Sequence, residues 1–173
     1  MGVTERAGLG IQPFEVIVQR HGPTVLRVCR AIVGVDDADD AWSETFLAAL
    51  RGYPELDRDA NVEAWLVTIA HRRCVDLIRA RVRRAVPMDE IADRPAPLQN
   101  GPLGDLDLLR AVAGLPERQR QAVAYHHLVG LPHDEVARVI GGTSAAARKA
   151  ASDGVRALRA RLGATGTSRG ETR

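Results

Sequence analysis

The chain has 173 residues, 45% of them hydrophobic but only 3% aromatic, and a net charge of +2. That is room for one domain of ordinary size or two small ones, with a core of Leu, Val, Ile and Ala that favours packed helices over a β-sandwich. No apolar run reaches the roughly 18 residues needed to cross a bilayer, and the N-terminus, MGVTERAGLG, lacks the basic and apolar segments of a signal peptide, so no membrane insertion and a cytoplasmic location are expected.

Residues 1–11 read as a loose leader. The segment 13–34 opens at Pro13, a favourable first-turn residue. Its Val16, Ile17, Val25, Leu26, Cys29, Ile32 and Val33 recur at spacings of three and four, the mark of a helix, with a bend expected at Gly22-Pro23. A second helix over 37–50 gathers its acids at the beginning, where the helix dipole favours them, and Gly52 and Pro54 stop it. After a polar loop, AWLVTIAHRRCVDLIRARVRR predicts a long helix ending at 84, with Trp65, Leu66, Ile69, Cys74 or Val75, and Ile78 on its apolar side. Residues 85–105 hold four prolines and two glycines and read as a flexible linker. Four more helices follow: one ended by Gly114, one between Pro116 and Gly130, the short PHDEVARVI, and a last one from about Ser144. The expectation is all-α: two small helical domains, 12–84 and 106–163, joined by the linker, with a disordered tail over 164–173.

Charge is unevenly spread. Residues 34–60 carry eight acids against Arg51 and Arg58, whereas 71–84 carry six arginines against Asp76. One acidic and one basic surface suggest two different partners. Cys29 and Cys74 lack zinc or CxxC spacing and read as buried thiols, with a disulfide open to them if their helices pack together. The adjacent His126 and His127, with His133 nearby, point in different directions on a helix and make poor joint ligands, so no metal or cofactor is expected. Nothing resembles a phosphate loop or a nucleophile–base pair, and no enzymatic activity is expected.

In the second half, a short helix to Ile140, a Gly-Gly-Thr turn and a longer helix from Ser144 give the outline of a helix-turn-helix, although a plain helical hairpin would also fit. In the first half, Asp39, Asp40, Ser43, Glu44, Thr45, Phe46 and Leu47 form an acidic run that passes into Thr-Phe-Leu. Trp65, Leu66, Ile69, Ala70, Asp76 and Arg79 then punctuate the basic helix. Together with LPERQRQAVAYHHLVGLPHDEVARVIG, this resembles the RNA polymerase sigma-70 family, in its extracytoplasmic-function (ECF) group. The likeness covers residues 13–84 and 106–162 in the right order.

The resemblance implies a transcription initiation factor whose partners are core RNA polymerase, promoter DNA and an anti-sigma factor. Asp39, Asp40, Ser43 and Glu44, with Trp42, Phe46 and Leu47 as exposed anchors, would dock on basic, apolar clamp helices of the polymerase. Arg72, Arg73, Arg79, Arg81, Arg83 and Arg84 would hold the downstream −10 element by its phosphates. The loop 52–62, with Tyr53 as a stacking platform and Asn61 as a hydrogen-bonding group, would cradle a flipped base. Arg72 stands where the family often has Asn.

The last helix departs furthest. Placing Ala147, Ala151, Val155, Leu158 and Leu162 inward leaves Ser144, Ala145, Ala146, Arg148, Lys149, Ser152, Asp153 and Arg156 to face DNA. Ala146 replaces a family threonine, Ala150 and Asp153 replace arginines, and Arg148 takes the place of a lysine. Alanine cannot make the bidentate contacts that discriminate bases. Weak or atypical reading of the upstream −35 element is therefore expected, the alternative being an unusual specificity carried by Arg148, Lys149 and site deformability. Two other functions stay open: a sigma-like protein that binds polymerase or another protein without promoter-specific initiation, and a helix-turn-helix repressor.

Overall fold

The computed structural model describes residues 12–84 and 103–167; the leader 1–11, most of the linker and the end of the tail lie outside the described residues. Among the described residues there is no strand. The helices are α1 (Phe14–Val33), α2 (Ala38–Gly52), α3 (Val62–Arg84), α4 (Leu103–Ala113), α5 (Glu117–Val123), α6 (His133–Ile140) and α7 (Ser144–Thr167). A 3-10 turn, Tyr53–Glu55, follows α2, and a π-helical turn, Ala124–Val129, continues α5. Helix α4 starts within the stretch expected as linker, and α7 runs to Thr167, into the stretch expected as tail.

Helices α1, α2 and α3 pack on one another as a bundle. Ile17, Val25, Val28 and Ile32 of α1 meet Ala41, Phe46 and Ala49 of α2 and Leu66, Val67 and Ala70 of α3 in a buried centre. Pro13 stands just before α1, as its cap residue, and the helix continues through Pro23 to Val33. An interior proline removes one ladder hydrogen bond and crowds the preceding turn. Nearby, the indole N–H of Trp42 donates to the Gly22 carbonyl at 3.0 Å and ties α2 to that turn. Thr45, fully buried, satisfies its hydroxyl by donating to the Ala41 carbonyl at 2.6 Å.

Helices α4 to α7 form the second unit, around Val112, Leu115, Ala122, Val123, Val136, Ala137, Ala147, Ala151 and Leu158. The turn between α6 and α7 runs through Gly141 (φ 78°) and Gly142 (φ 105°), in the region that favours glycine, and Thr143 then caps α7 by accepting the Ala146 N–H at 3.2 Å. Gly154 lets α7 cross α5 closely: a Cβ there would lie 2.6 Å from Val123 Cγ2. The two units do not stand apart. Helix α1 packs on α4 and the π-helical turn, and α3 touches α6, so one continuous core runs through both.

Candidate docking and nucleic-acid faces

Helix α2 is amphipathic in an unusual sense, with apolar residues on both sides. Ala38, Ala41, Thr45, Phe46 and Ala49 face the bundle. Trp42, half-buried, packs on Phe46 at 4.7 Å between ring centroids, and Phe46 is 6% exposed. Phe46 is therefore a core residue and not the surface anchor expected from the sequence, whereas Trp42 packs against the core and keeps part of its surface exposed. The outer side carries Asp39, Asp40, Ser43 and Glu44 together with Leu47, 50% exposed, and Leu50, 52% exposed. Leu50 was not among the expected residues, although its spacing of three from Leu47 and seven from Ser43 places it on the same stripe. Beside this stripe an open groove of about 590 Å³ separates α2 from α3, lined by Asp40, Ser43, Glu44, Arg73, Asp76, Leu77, Ala80 and Arg83. Arg73 and Arg83, expected on DNA, thus border the acids of α2.

Arg72, Arg79 and Arg83 are seven and four residues apart and share one side of α3, and all three are exposed, as is Arg84. Arg81 lies on another side, 3.8 Å from Asp37, in a pair open enough to water to contribute little. The loop that precedes α3 differs from expectation. Tyr53 donates its hydroxyl to the Gln12 carbonyl at 2.7 Å and sits between Phe14 and Trp65, at 5.3 and 6.5 Å between centroids. It pins the start of the described chain against the bundle and is not a free platform for a base. Asn61 accepts the Ala64 N–H at 3.1 Å and caps α3, which leaves its amide N–H₂ available on an exposed residue.

On α7, Ala147, Ala151 and Leu158 are buried and Val155 is half-buried, as the helical spacing requires, but Leu162 is 41% exposed because the helix has by then run beyond its partners. Ala145, Ala146, Arg148, Lys149, Ser152 and Arg156 are exposed, and Ser144 is half-exposed at the helix start. Asp153 sits between two of the cations: Lys149 Nζ donates to its Oδ2 at 2.7 Å and Arg156 Nη2 to its Oδ1 at 2.8 Å. The Lys149 hydrogen bond, ahead of the charges of Lys149 and Arg156, holds the Asp153 carboxyl below its ordinary range. Its negative charge is neutralised, but two of the three cations on this face are engaged in doing so.

The three histidines come together, His126 stacked on His133 at 3.9 Å and edge-on to His127 at 4.7 Å. His126 Nδ1 lies 2.7 Å from the Leu131 carbonyl, which can only accept, so that nitrogen carries the proton. Burial, then the neighbouring His126, lowers the pKa of both His127 and His133. Among the described residues no group of three or more His, Cys, Asp or Glu is arranged to hold a metal ion, and no helix is long and apolar enough to cross a membrane. Cys29 and Cys74 are free and buried, and the neighbouring Cys29 thiol, with desolvation, pushes the Cys74 thiol far up and keeps it un-ionised.

A three-helix bundle with an acidic leucine stripe and an arginine stripe, followed by a capped helix-turn-helix, defines a two-unit protein with a candidate protein-docking face and two candidate nucleic-acid faces. Comparison with known proteins is specific. Residues 17–84 match the model of sigma-70 region 2, and residues 105–158 that of sigma-70 region 4. The chain is 32% identical over 133 residues to the ECF RNA polymerase sigma factor SigM of Mycobacterium tuberculosis, covering 74% of this chain and 66% of that protein. It is 30% identical over 172 residues to the RNA polymerase sigma factor NccH of Alcaligenes xylosoxydans xylosoxydans, covering 92% and 90%. Among solved structures it resembles the sigma factor RpoE of Bartonella quintana, in complex with the anti-sigma factor NepR, with a TM-score of 0.72 and 22% identity over 86% of this chain and 96% of that one. CnrH, in complex with the cytosolic domain of CnrY, gives 0.64 and 25% over 87% and 88%. The chain belongs to the ECF group of the sigma-70 family.

Proposed function

We propose that this chain binds core RNA polymerase and directs it to promoters, acting by binding alone and not as an enzyme, in the cytoplasm where polymerase works. The observation that carries the reading is the outer stripe of α2: Asp40, Ser43, Glu44, Leu47 and Leu50 present acids around two half-exposed leucines. Apolar anchors ringed by charge suit a basic, apolar helical partner, the leucines supplying affinity and the acids steering and register. Arg72 and Arg79 on α3 then lie against the sugar–phosphate backbone of the opened −10 element. Asn61, rather than Tyr53, is the group that meets a displaced base.

Reading of the −35 element is weak. With Lys149 and Arg156 joined to Asp153, Arg148 is the exposed cation on the α7 face without an acidic partner among the described residues, and the alanines offer at most contact with thymine methyls. A soluble protein segment serves as the anti-sigma partner, by likeness to CnrH, which was captured with the cytosolic domain of CnrY. Reconstitution with core polymerase, followed by run-off transcription on genomic DNA, tests the reading. Discrete start sites that need this chain are expected; no association with core enzyme even at low ionic strength would overturn it, and association without discrete starts would favour a polymerase-binding protein that does not initiate.

A further inference from the structure

The direction in which α7 leaves the Gly141-Gly142-Thr143 turn decides where its polar face lands. From within, that turn is weakly determined. Gly141 (φ 78°, ψ 152°) and Gly142 (φ 105°) follow one another at positive φ, and glycine has the widest choice of other conformations. Thr143 fixes what comes after it, by accepting the Ala146 N–H, but not what comes before. Helix α6 is 8 residues long, and the carbonyls at its carboxyl end have no partner within the helix. Its own last-turn cation, Arg138, is drawn back to Asp134 and Glu135.

A side chain from another helix supplies the missing tie. Arg118, exposed on the first turn of α5, donates through Nη2 to the Gly141 carbonyl at 2.7 Å, across 23 residues of sequence. The same nitrogen lies 2.6 Å from where a Cβ on Gly142 would stand, so the guanidinium is against both glycines. A cation at the carboxyl end of a helix is also favoured by the helix dipole. Further along, α5 holds α7 a second time, at Gly154, where a Cβ would lie 3.3 Å from the Gln119 carbonyl oxygen as well as against Val123. The beginning and the middle of α7 are thus both referred to α5.

We propose that Arg118 is the positioning residue of the helix-turn-helix: by holding the Gly141 carbonyl it fixes the exit direction of α7, and with it the register in which residues 144–149 meet the −35 element. The inference deepens the reading of the chain as an initiation factor and rests on it. Register matters more on this face than on one rich in base contacts. Side chains that pair bidentately with bases set the register themselves. Ala145 and Ala146 cannot, so binding depends on a few backbone contacts arriving together, and a helix direction set in advance lowers the cost of that arrival. Arg118 does this through a protein carbonyl, not through a phosphate.

That distinction sets the test. Full-length wild type, Arg118→Ala and Arg118→Lys are compared by amide exchange as free chains. They are then compared as holoenzyme binding duplexes that carry the upstream element of start sites used by the wild type. Arg118→Ala should keep its helical content and its affinity for core polymerase. Exchange across 141–147 should speed up about tenfold. Affinity for the −35 duplex should fall about five- to tenfold, with the slope of log affinity on log salt unchanged. Arg118→Lys, which keeps a donor for one carbonyl, should recover most of both losses. A direct phosphate contact would instead leave exchange alone and flatten the salt slope by about 0.9 in Arg118→Ala; that result overturns the proposal. Faster exchange with undiminished −35 affinity overturns it as well. Should Arg118→Ala lose helical content, Arg118→Met, which keeps the apolar stem and removes the donors, takes its place. Exchange is read without polymerase or DNA. Failure of all three chains to bind core enzyme would therefore count against the proposed function and leave the tie at the turn to be judged by exchange.

Discussion

Helices α2 and α7 each present a polar face to solvent, and they are built in opposite ways. On α2 the small and aromatic residues turn inward, and the outer stripe combines acids with Leu47 and Leu50, each about half exposed. On α7 the outer stripe is alanine and serine, and its charges largely satisfy one another through Asp153. A face with apolar anchors and unsatisfied charge gains free energy when a partner covers it. A face of methyl groups and internal ion pairs gains little from covering, and can serve as a shape that follows a groove. On the proposed reading, the contrast puts recognition in the bundle and gives the helix-turn-helix a supporting part.

The sharpest way to break this contrast is to separate inside from outside on α2 itself. Phe46→Ala should cost about 3–5 kcal/mol of stability, because it empties a site packed by Phe14 and Trp42. Its neighbour Leu47 tests the other side: Leu47→Ala should leave stability within about 0.5 kcal/mol. Denaturant unfolding of the two variants checks both values, and equal losses would show that the outer stripe is not an outer stripe.

Next in size is the effect on docking. Leu47→Asp with Leu50→Asp should weaken binding to core polymerase about 30- to 1,000-fold, the range of about 2–4 kcal/mol for losing central anchors. The far-UV circular dichroism spectrum should not change. Surface plasmon resonance against core enzyme measures the loss; wild-type affinity in that variant would move the docking face elsewhere on the molecule. Smaller again is the arginine stripe. Replacing Arg72 and Arg79 by Ala should weaken capture of single-stranded −10 DNA by holoenzyme and flatten the dependence of log affinity on log salt by about 0.7 for each lost phosphate contact. An unchanged slope would mean that these arginines face solvent and not the strand.

Much of this was legible in the chain. The helix-turn-helix boundaries at Ile140 and Ser144 follow from Gly141-Gly142-Thr143, because a turn through positive φ followed by a capping hydroxyl is a local matter. The acid–leucine side of α2 was visible as composition, but not its orientation. With Trp42 and Phe46 on one side and Leu47 and Leu50 on the other, spacing alone allows either set to face inward, and only the packing of α1 and α3 decides. Tyr53 shows the same limit, since its partners Gln12, Phe14 and Trp65 are set by folding of the bundle. The burial of Tyr125 against His71, 54 residues away, lies beyond any local rule. The pairing of Asp153 with Lys149 and Arg156, by contrast, is a spacing of four and three on one helix and was readable beforehand.

That pairing supplies the smallest expected effect and the one that bears most directly on the α7 side of the contrast. If Asp153 engages Lys149 and Arg156, then Asp153→Ala releases both toward phosphate. Affinity of holoenzyme for −35 DNA should rise a few-fold, with a salt dependence steeper by at most about 0.9 per released cation, and with no gain in preference between sequences. The wild-type face cannot reach that state by acidification near neutral pH. The cations hold the Asp153 carboxyl below its ordinary value of 3.8, so it stays ionised, and the ion pairs stay intact, well below the pH at which a free aspartate would protonate. A drop in affinity on Asp153→Ala would mean the reverse: that the carboxylate orients Lys149 and Arg156 toward specific bases, and that α7 discriminates more than its alanines suggest. Binding measured on −35 sequences scrambled one position at a time separates the two, because release of cations raises every sequence alike, whereas loss of orientation lowers only the preferred one.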